Sequence, residues 1–414
     1  MCYYLSLRPL TFYVMALTFW NFWSNKLFNW LATFTNSPYW KTKLAVFTVL
    51  YILFTSFPDY QALVKMDTGG QRLAARFEVI DWIGTHPFQN LPEHLFVGKV
   101  LSEGDQSHFK KRIFRPLIPV TLHTLGLKAK HYVGIQFVVG ILFVVLLIRF
   151  LSKHLSSTAS VLATFMFANL FVTKWTFFDF FYHDPLAYLL LLIILNFRNP
   201  LLIILGIVLG GFVDERAVIG SSAVVLWWFW QESNAQKVAI SEVFSIKRYS
   251  ATWAAVVGIL LFIVLRLYIM SSLGMQTDKS MLGFDANQYN SFPMGLTVTY
   301  ECAWLLLIGA VVGMVAKKDW LYLLIFIVSA LGIVAAGSLV LDFSRSYAYG
   351  FVLLLFAIVY LSKTETLSHF QNGLTFCAIG CFLFPTYYQI GSSLFWMPHI
   401  FPKIKVLLAF YQLI

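Results

Sequence analysis

The chain has 414 residues, of which 59% are hydrophobic and only 12% charged, and it carries a net charge of +11. Its mean hydropathy is +0.73. Soluble domains carry about 25% charged residues, so this balance excludes a soluble globular domain and points to one integral membrane domain over residues 1–414. In that setting the positive charge reads as an anchor to anionic lipid and a positive-inside bias, not as a nucleic-acid footprint.

In chain order, residues 10–34 form an apolar stretch broken by Asn21, Ser24, Asn25 and Lys26, either a short span or an interfacial helix. Further apolar segments lie near 43–57, 131–149, 157–177, 185–197, 200–213, 217–230, 251–270, 301–316, 319–337, 347–361 and 372–390. A crossing helix needs ~20 residues, so the shorter segments must take in flanking residues. The expectation is an all-α polytopic bundle of ten to twelve helices. The tail 401–414 is open between spanning and lying on the surface.

Residues 58–130 are the only sizeable polar insertion. Within it, QRLAARFEVIDWIG sets Leu73, Phe77, Ile80 and Ile83 near helical spacing, which predicts an amphipathic helix on the membrane surface. HFKKRIFRPLIPVTLHTLGL is basic and then apolar, and Pro116 and Pro119 suit a kinked or re-entrant path. Lys110, Lys111, Arg112 and Arg115 offer charge to a phosphate or to lipid headgroups. Of the four cysteines, Cys302, Cys377 and Cys381 sit in apolar runs. No His or acid accompanies Cys377 and Cys381, so they read as small apolar packing. No small-residue cleavage site follows the apolar run after Arg8.

Lys and Arg in short loops set the orientation. Arg149, Lys153, Arg198, Lys237, Lys247, Arg248, Lys317, Lys318 and Lys363 fall on one set of alternate loops, expected to be cytoplasmic. The other set then carries the 58–130 insertion, Asp59, the stretch from Asp179 to Asp184, Asp214-Glu215-Arg216, and Asp342 with Arg345. Charges beside a lipid-spanning segment cost several kcal/mol unless they face a cavity, a partner or a ligand. Carboxylates, a histidine and arginines gathered at one interface suit acid–base chemistry on an anionic substrate.

Each group also has a structural reading. Asp59 follows Pro58 and suits a turn or a cap. Asp184 precedes Pro185 and suits an N-cap. His183 is either a hydrogen-bonding group for a phosphate or sugar, or structural. Glu215 and Arg216 suit a local ion pair, although the Arg216 fork also matches phosphate oxygens. Asp342 and Arg345, three apart, suit a pair on one helical turn. Arg266, inside LFIVLRLYIM, is placed to snorkel toward an interface or meet a lipid phosphate. No HExxH, CxxC, GxGxxG or Walker motif appears, which argues against a cytosolic-nucleotide enzyme and an ATP-driven pump.

The order of these parts resembles the GT-C glycosyltransferase superfamily. Phe57-Pro58-Asp59-Tyr60 is similar to that family's acid directly after a first span, and a long loop with amphipathic helices follows. Phe114 to Pro119 is similar to an Arg-x-Leu-x-Pro motif of bacterial relatives. Asp184-Pro185-Leu186-Ala187-Tyr188 resembles an Asp-initiated span. Arg198 to Pro200 followed by Asp214-Glu215-Arg216, and Asp342 with Arg345 before a late span, complete the pattern over most of 43–362.

The resemblance implies a multi-span enzyme of the bacterial cytoplasmic membrane with its active site facing outside. It would move a sugar from a polyprenyl-phosphate-linked donor to a glycan, lipid or protein acceptor. Asp59 would be the general base, with Asp184 and Glu215 as further catalytic carboxylates. Arg115, His183, Asp214, Arg216, Asp342 and Arg345 would bind substrate. The chain departs from the pattern in lacking a Glu-Asp or Asp-x-Asp pair in the first loop, where several of its families place one, so a divalent metal is not indicated, and in lacking the large soluble C-terminal domain of oligosaccharyltransferases. A transporter or flippase, a polymerase or ligase for lipid-linked glycans, and a non-catalytic subunit of the same fold remain open.

Overall fold

Short apolar helices, joined end to end by caps and tight breaks, build most of the molecule. The computed structural model describes residues 7–56, 70–95, 112–178, 183–233, 242, 244–272, 292–338, 340, 342–384, 386–390 and 393–396. The chain opens with α1 (Leu7–Thr35) and α2 (Trp40–Ser56). The expected amphipathic helix is α3 (Gly70–Thr85). A 3-10 turn at Arg112–Phe114 then leads into α4 (Leu117–Thr124).

The bundle continues through α5 (Tyr132–His154), α6 (Ser157–Asn169), α7 (Phe171–Phe178), α8 (Asp184–Asn196), α9 (Pro200–Val213), α10 (Arg216–Glu232) and α11 (Ser250–Ser272). It closes with α12 (Phe292–Tyr300), α13 (Trp304–Ala316), α14 (Trp320–Ser338), α15 (Phe343–Ala348), α16 (Phe351–Thr364) and α17 (Leu367–Leu383).

Helix starts follow local chemistry. Ser156, Asn199 and Thr366 accept from the backbone N–H three residues on and satisfy a donor that the first turn leaves open. Pro200 and Pro185 occupy first-turn positions, where a missing N–H costs nothing. Helices α5, α8, α9, α10 and α11 pack as successive neighbours. Their connections alternate between two ends of the bundle, one rich in lysine and one bearing the acid–arginine motifs.

Among the described residues, four helices are long and apolar enough to cross a membrane: 129–154, 250–272, 293–316 and 320–338. Only 22% of the apolar window of α11 is buried in the molecule. Its exposed face of Val257, Leu260, Val264 and Leu267 is what lipid contact requires. By contrast, α8 and α9 have 13 and 14 residues. At 1.5 Å per residue they reach ~20 Å, against ~30 Å of hydrocarbon. The ends that carry Asp184 and Asp214 are buried in the bundle, while the turn at Arg198–Pro200 that joins the two helices at the other end is exposed.

Two expected spans are corrected. The segment 157–177 is not one helix. It breaks at Leu170, which is extended, while Asn169 turns its side-chain amide back onto the Phe165 carbonyl at 2.9 Å. The segment 372–390 ends its helix at Leu383. Phe384 is extended, as a residue before proline prefers, and a two-stranded antiparallel hairpin follows, β1 (Tyr387–Ile390) and β2 (Ser393–Trp396). The fold is thus helical with one small hairpin. A third break interrupts the span 293–316 at a 3-10 turn, Glu301–Ala303, where Glu301 takes a φ of 49°.

The segment around α3 and α4 forms a cover over the acid–arginine end. Val79, Ile83, Leu91, Leu95, Ile113 and Phe114 make a separate small core, joined by Ile269 and Met270 from the end of α11. Asp81 accepts from the Ala129 N–H at 2.7 Å and ties α3 to the start of α5. At the opposite end, Glu232 accepts from Ala251 N, Thr252 N and Thr252 Oγ1 at 2.8–3.0 Å. It caps the start of α11 from another helix, and Arg198 at 2.9 Å balances its charge.

Candidate functional site

The acid–arginine motifs converge. Asp184 opens α8, Asp214 ends α9, Glu215 and Arg216 open α10, Asp342 and Arg345 lie around α15, and Arg115 comes from the turn before α4. Their side chains form an alternating ladder of charge that begins at Arg266 on α11, 3.8 Å from Glu215. Glu215 takes a forked pair of hydrogen bonds from Arg115 at 2.9 and 3.0 Å. The third nitrogen of Arg115 lies 2.8 Å from Asp214. Asp214 is held by both Nε and Nη2 of Arg216, at 2.7 and 2.6 Å. Arg216 reaches on to Asp184 at 3.2 Å. Arg345 bonds Asp184 at 2.6 Å and turns its other edge to Asp342.

Asp184 is the hub. Its Oδ1 accepts from Tyr349 Oη at 2.9 Å and from Arg216, and its Oδ2 accepts from Trp175 Nε1 at 3.0 Å and from Arg345. Four donors on one carboxylate with no exposed surface match the lone-pair capacity of the group. Ser346 Oγ accepts from Arg216 at 3.2 Å. The Arg345 guanidinium also lies over the Trp175 ring, 5.7 Å from its centroid.

The middle of the ladder is sealed and its ends are open. Asp184 and Asp214 are 0% exposed and Arg345 1%, whereas the Glu215 side chain is 38% exposed and Asp342 18%. Burial alone would raise the pKa of Asp214, but Arg115 and Arg216 outweigh it and hold the carboxyl far below the usual range. The same balance, with Arg115 dominant among the cations, keeps Glu215 low. Both stay ionised at neutral pH.

His183 sits just before α8 in the left-handed region, with a φ of 61°. Its ring meets Tyr132 edge to face at 4.6 Å. Burial first, and then Arg112 and Arg115, push its pKa well below the ordinary histidine value, so the ring is neutral. Its Nε2 is buried and has no hydrogen-bond partner among the described residues.

The expected pairing of Asp342 with Arg345 is present. Three local expectations differ. Glu215 pairs with Arg115 and Arg266 instead of its neighbour Arg216, because consecutive residues at a helix start point apart. Asp184 is not the N-cap: His183 holds that position, and the aspartate turns inward to its four donors. Arg266 meets Glu215 and stacks over Phe114, 4.8 Å from the ring centroid. Asp59, Asp179, Lys110 and Lys111 lie outside the described residues. Trp175, Tyr349 and Ser346 belong to the site and carry no charge that would single them out in the sequence. No group of three or more His, Cys, Asp or Glu with metal-binding placement occurs among the described residues.

Against known proteins, no family model matches the chain, and searches of curated proteins and of solved structures likewise return no match.

Proposed function

We propose that the protein is a membrane enzyme acting on a lipid-linked phosphate sugar, a GT-C-like glycosyltransferase whose donor is a polyprenyl-phosphate-linked sugar. The observation that carries this reading is the convergence of Arg115, Arg216, Arg266 and Arg345 at one end of an apolar bundle. Arginine forks suit phosphate oxygens, and ionisable groups gathered inside a helical membrane protein mark a functional site. The buried Nε2 of neutral His183, without a hydrogen-bond partner among the described residues, supplies a hydrogen-bonding atom beside the arginines.

The roles divide by exposure. Asp184 and Asp214 are saturated with donors and act as positioning residues that aim the arginines. Glu215, held ionised by Arg115, is the most exposed carboxylate of the ladder, and Arg115 and Arg266 beside it are the groups placed to meet a phosphate. Asp59 remains the general base that the family resemblance implies. The acceptor would be a glycan, lipid or protein on the extracytoplasmic face, and no resident metal enters the scheme.

Mass spectrometry of lipid-linked sugars tests this. Cells expressing Glu215→Gln or Asp59→Asn at equal protein level should accumulate one polyprenyl-phosphate sugar that the natural chain consumes. Profiles unchanged in both variants, but altered on deletion of the whole protein, would remove the transferase reading. The second reading is transport of a lipid-linked glycan without chemistry. The interrupted helices 157–178 and 293–316 favour it, since broken helices mark substrate and ion sites in transporters.

A further inference from the structure

Helix α7 separates the ladder from a second buried polar cluster. Trp175 faces Asp184, while the adjacent Lys174, 1% exposed, points the other way and donates to Thr386 Oγ1 at 2.9 Å. The Thr386 hydroxyl is also 2.7 Å from the Asn169 carbonyl and 3.0 Å from Glu301 Oε1. Asn169 ends α6 at one helix break, and Glu301 forms the other. Asn169 Oδ1 in turn accepts from Tyr51 Oη of α2. Two interrupted helices therefore meet at one threonine, each contributing a group that its break has freed.

Hydrogen counting bears on where the proton sits. Thr386 has a single hydroxyl hydrogen. Lys174 donates to its oxygen, and the shorter contact takes the hydroxyl hydrogen to the Asn169 carbonyl. The remaining contact, from the Thr386 hydroxyl to Glu301 Oε1 at 3.0 Å, is then the weaker of the two unless the carboxyl itself carries a hydrogen. The far oxygen, Glu301 Oε2, is buried with no hydrogen-bond partner among the described residues. A carboxylate left that way would be costly, whereas a neutral carboxylic acid tolerates it far better.

We propose that Glu301, Thr386 and Lys174 form a proton-binding site inside the membrane-spanning region, held between the two interrupted helices and separate from the arginine ladder. Release breaks the Glu301 O–H bond, the electron pair stays on the carboxylate, and the proton leaves to water. Thr386 then turns its hydrogen from the Asn169 carbonyl to the carboxylate, and Lys174 faces the new charge across that hydroxyl. The titratable groups around Glu301 are Lys174 from α7, Tyr51 from α2, Cys381 from α17, and Tyr300 and Cys302 beside it in the chain. Since α7 carries both Lys174 and the Asp184 ligand Trp175, a change of charge here acts on the helix that orients the ladder. The inference stands apart from the glycosyltransferase reading and survives its failure.

Infrared difference spectroscopy of the full chain in liposomes, stepped through pH, reads the site directly. The natural chain should show a protonated-carboxyl band that is lost as pH rises. Glu301→Gln should abolish that band, and Lys174→Gln should shift the pH at which it disappears. A band unaltered by Glu301→Gln, or no pH-dependent carboxyl band in the natural chain, overturns the proposal. If Glu301→Gln fails to fold, an unshifted midpoint in Lys174→Gln overturns it equally.

Discussion

Asp184 and Arg345 stand 161 positions apart in the chain, and their side chains meet at 2.6 Å with 0% and 1% of each exposed. The contact joins the start of α8 to α15 and makes the ladder a tertiary structure instead of a set of local pairs. Asp184→Asn leaves Arg216 and Arg345 without their shared counter-charge. Breaking a buried pair in this way costs about 3–5 kcal/mol. The double variant Asp184→Leu with Arg345→Met should lose less than the sum of the single variants. Thermal unfolding in detergent measures the cycle, and strictly additive losses would contradict the coupling.

Adjacent carboxylates should respond differently. Asp214→Asn removes the shared counter-charge of Arg115 and Arg216 from the sealed part of the ladder and should lower stability by about 3 kcal/mol or more. Glu215→Gln keeps a hydrogen-bonding side chain at the exposed end and should leave the folded population nearly unchanged while, on the proposed transferase reading, reducing turnover. Limited proteolysis alongside the lipid-linked sugar profile separates the two effects.

The neutral His183 predicts a pH dependence. Its folded-state pKa lies well below the ordinary 6.5, so the unfolded chain binds the extra proton and stability falls as pH drops below about 6.5. Asp214 is shifted in the same direction but from a lower ordinary value, so its contribution holds above 3.8 and fades only in stronger acid. His183→Gln should therefore flatten the fall in unfolding temperature between about pH 6.5 and pH 5. A slope identical to that of the natural chain would sink this account.

At the lysine-rich end, Glu232→Ala removes the acceptor for two backbone N–H groups and one hydroxyl at the start of α11. The loss should be about 2 kcal/mol. Hydrogen exchange at Ala251 and Thr252 should rise selectively, with the remainder of α11 less affected.

Gly220 lets α10 approach the residues that support the hub: a Cβ there would stand 2.9 Å from the Tyr349 carbonyl oxygen. Gly220→Val should cost about 1–3 kcal/mol through overpacking, and it should disturb the bond from Tyr349 to Asp184. Intrinsic fluorescence of the neighbouring Trp175 would report the displacement.

The helical class, the amphipathic α3 and the gathering of Arg115, Asp184, Asp214, Glu215, Arg216, Asp342 and Arg345 were legible because ionisable groups are rare in this chain and stand out against apolar runs. The helix breaks at Leu170 and Glu301 were not. Each lies inside a hydrophobic stretch whose composition suits an unbroken helix, and side-chain contacts from other helices decide the local backbone. Lys174 was readable in principle, as a charged residue within the apolar run 157–177. Its partner Thr386 carries no such mark. Pairing inside the ladder was also illegible, since Arg115 reaches Glu215 across 100 positions while the nearer Arg216 turns to Asp214.

The shortness of α8 and α9 has a consequence for the surrounding bilayer. Helices reaching ~20 Å fall ~10 Å short of a hydrocarbon layer ~30 Å thick. The small core under α3, with Phe114 and Ile113, fills that gap from the side of the ladder. A long-chain substrate of the kind proposed would have to pass the contact that this cover makes with Ile269 and Met270 at the end of α11.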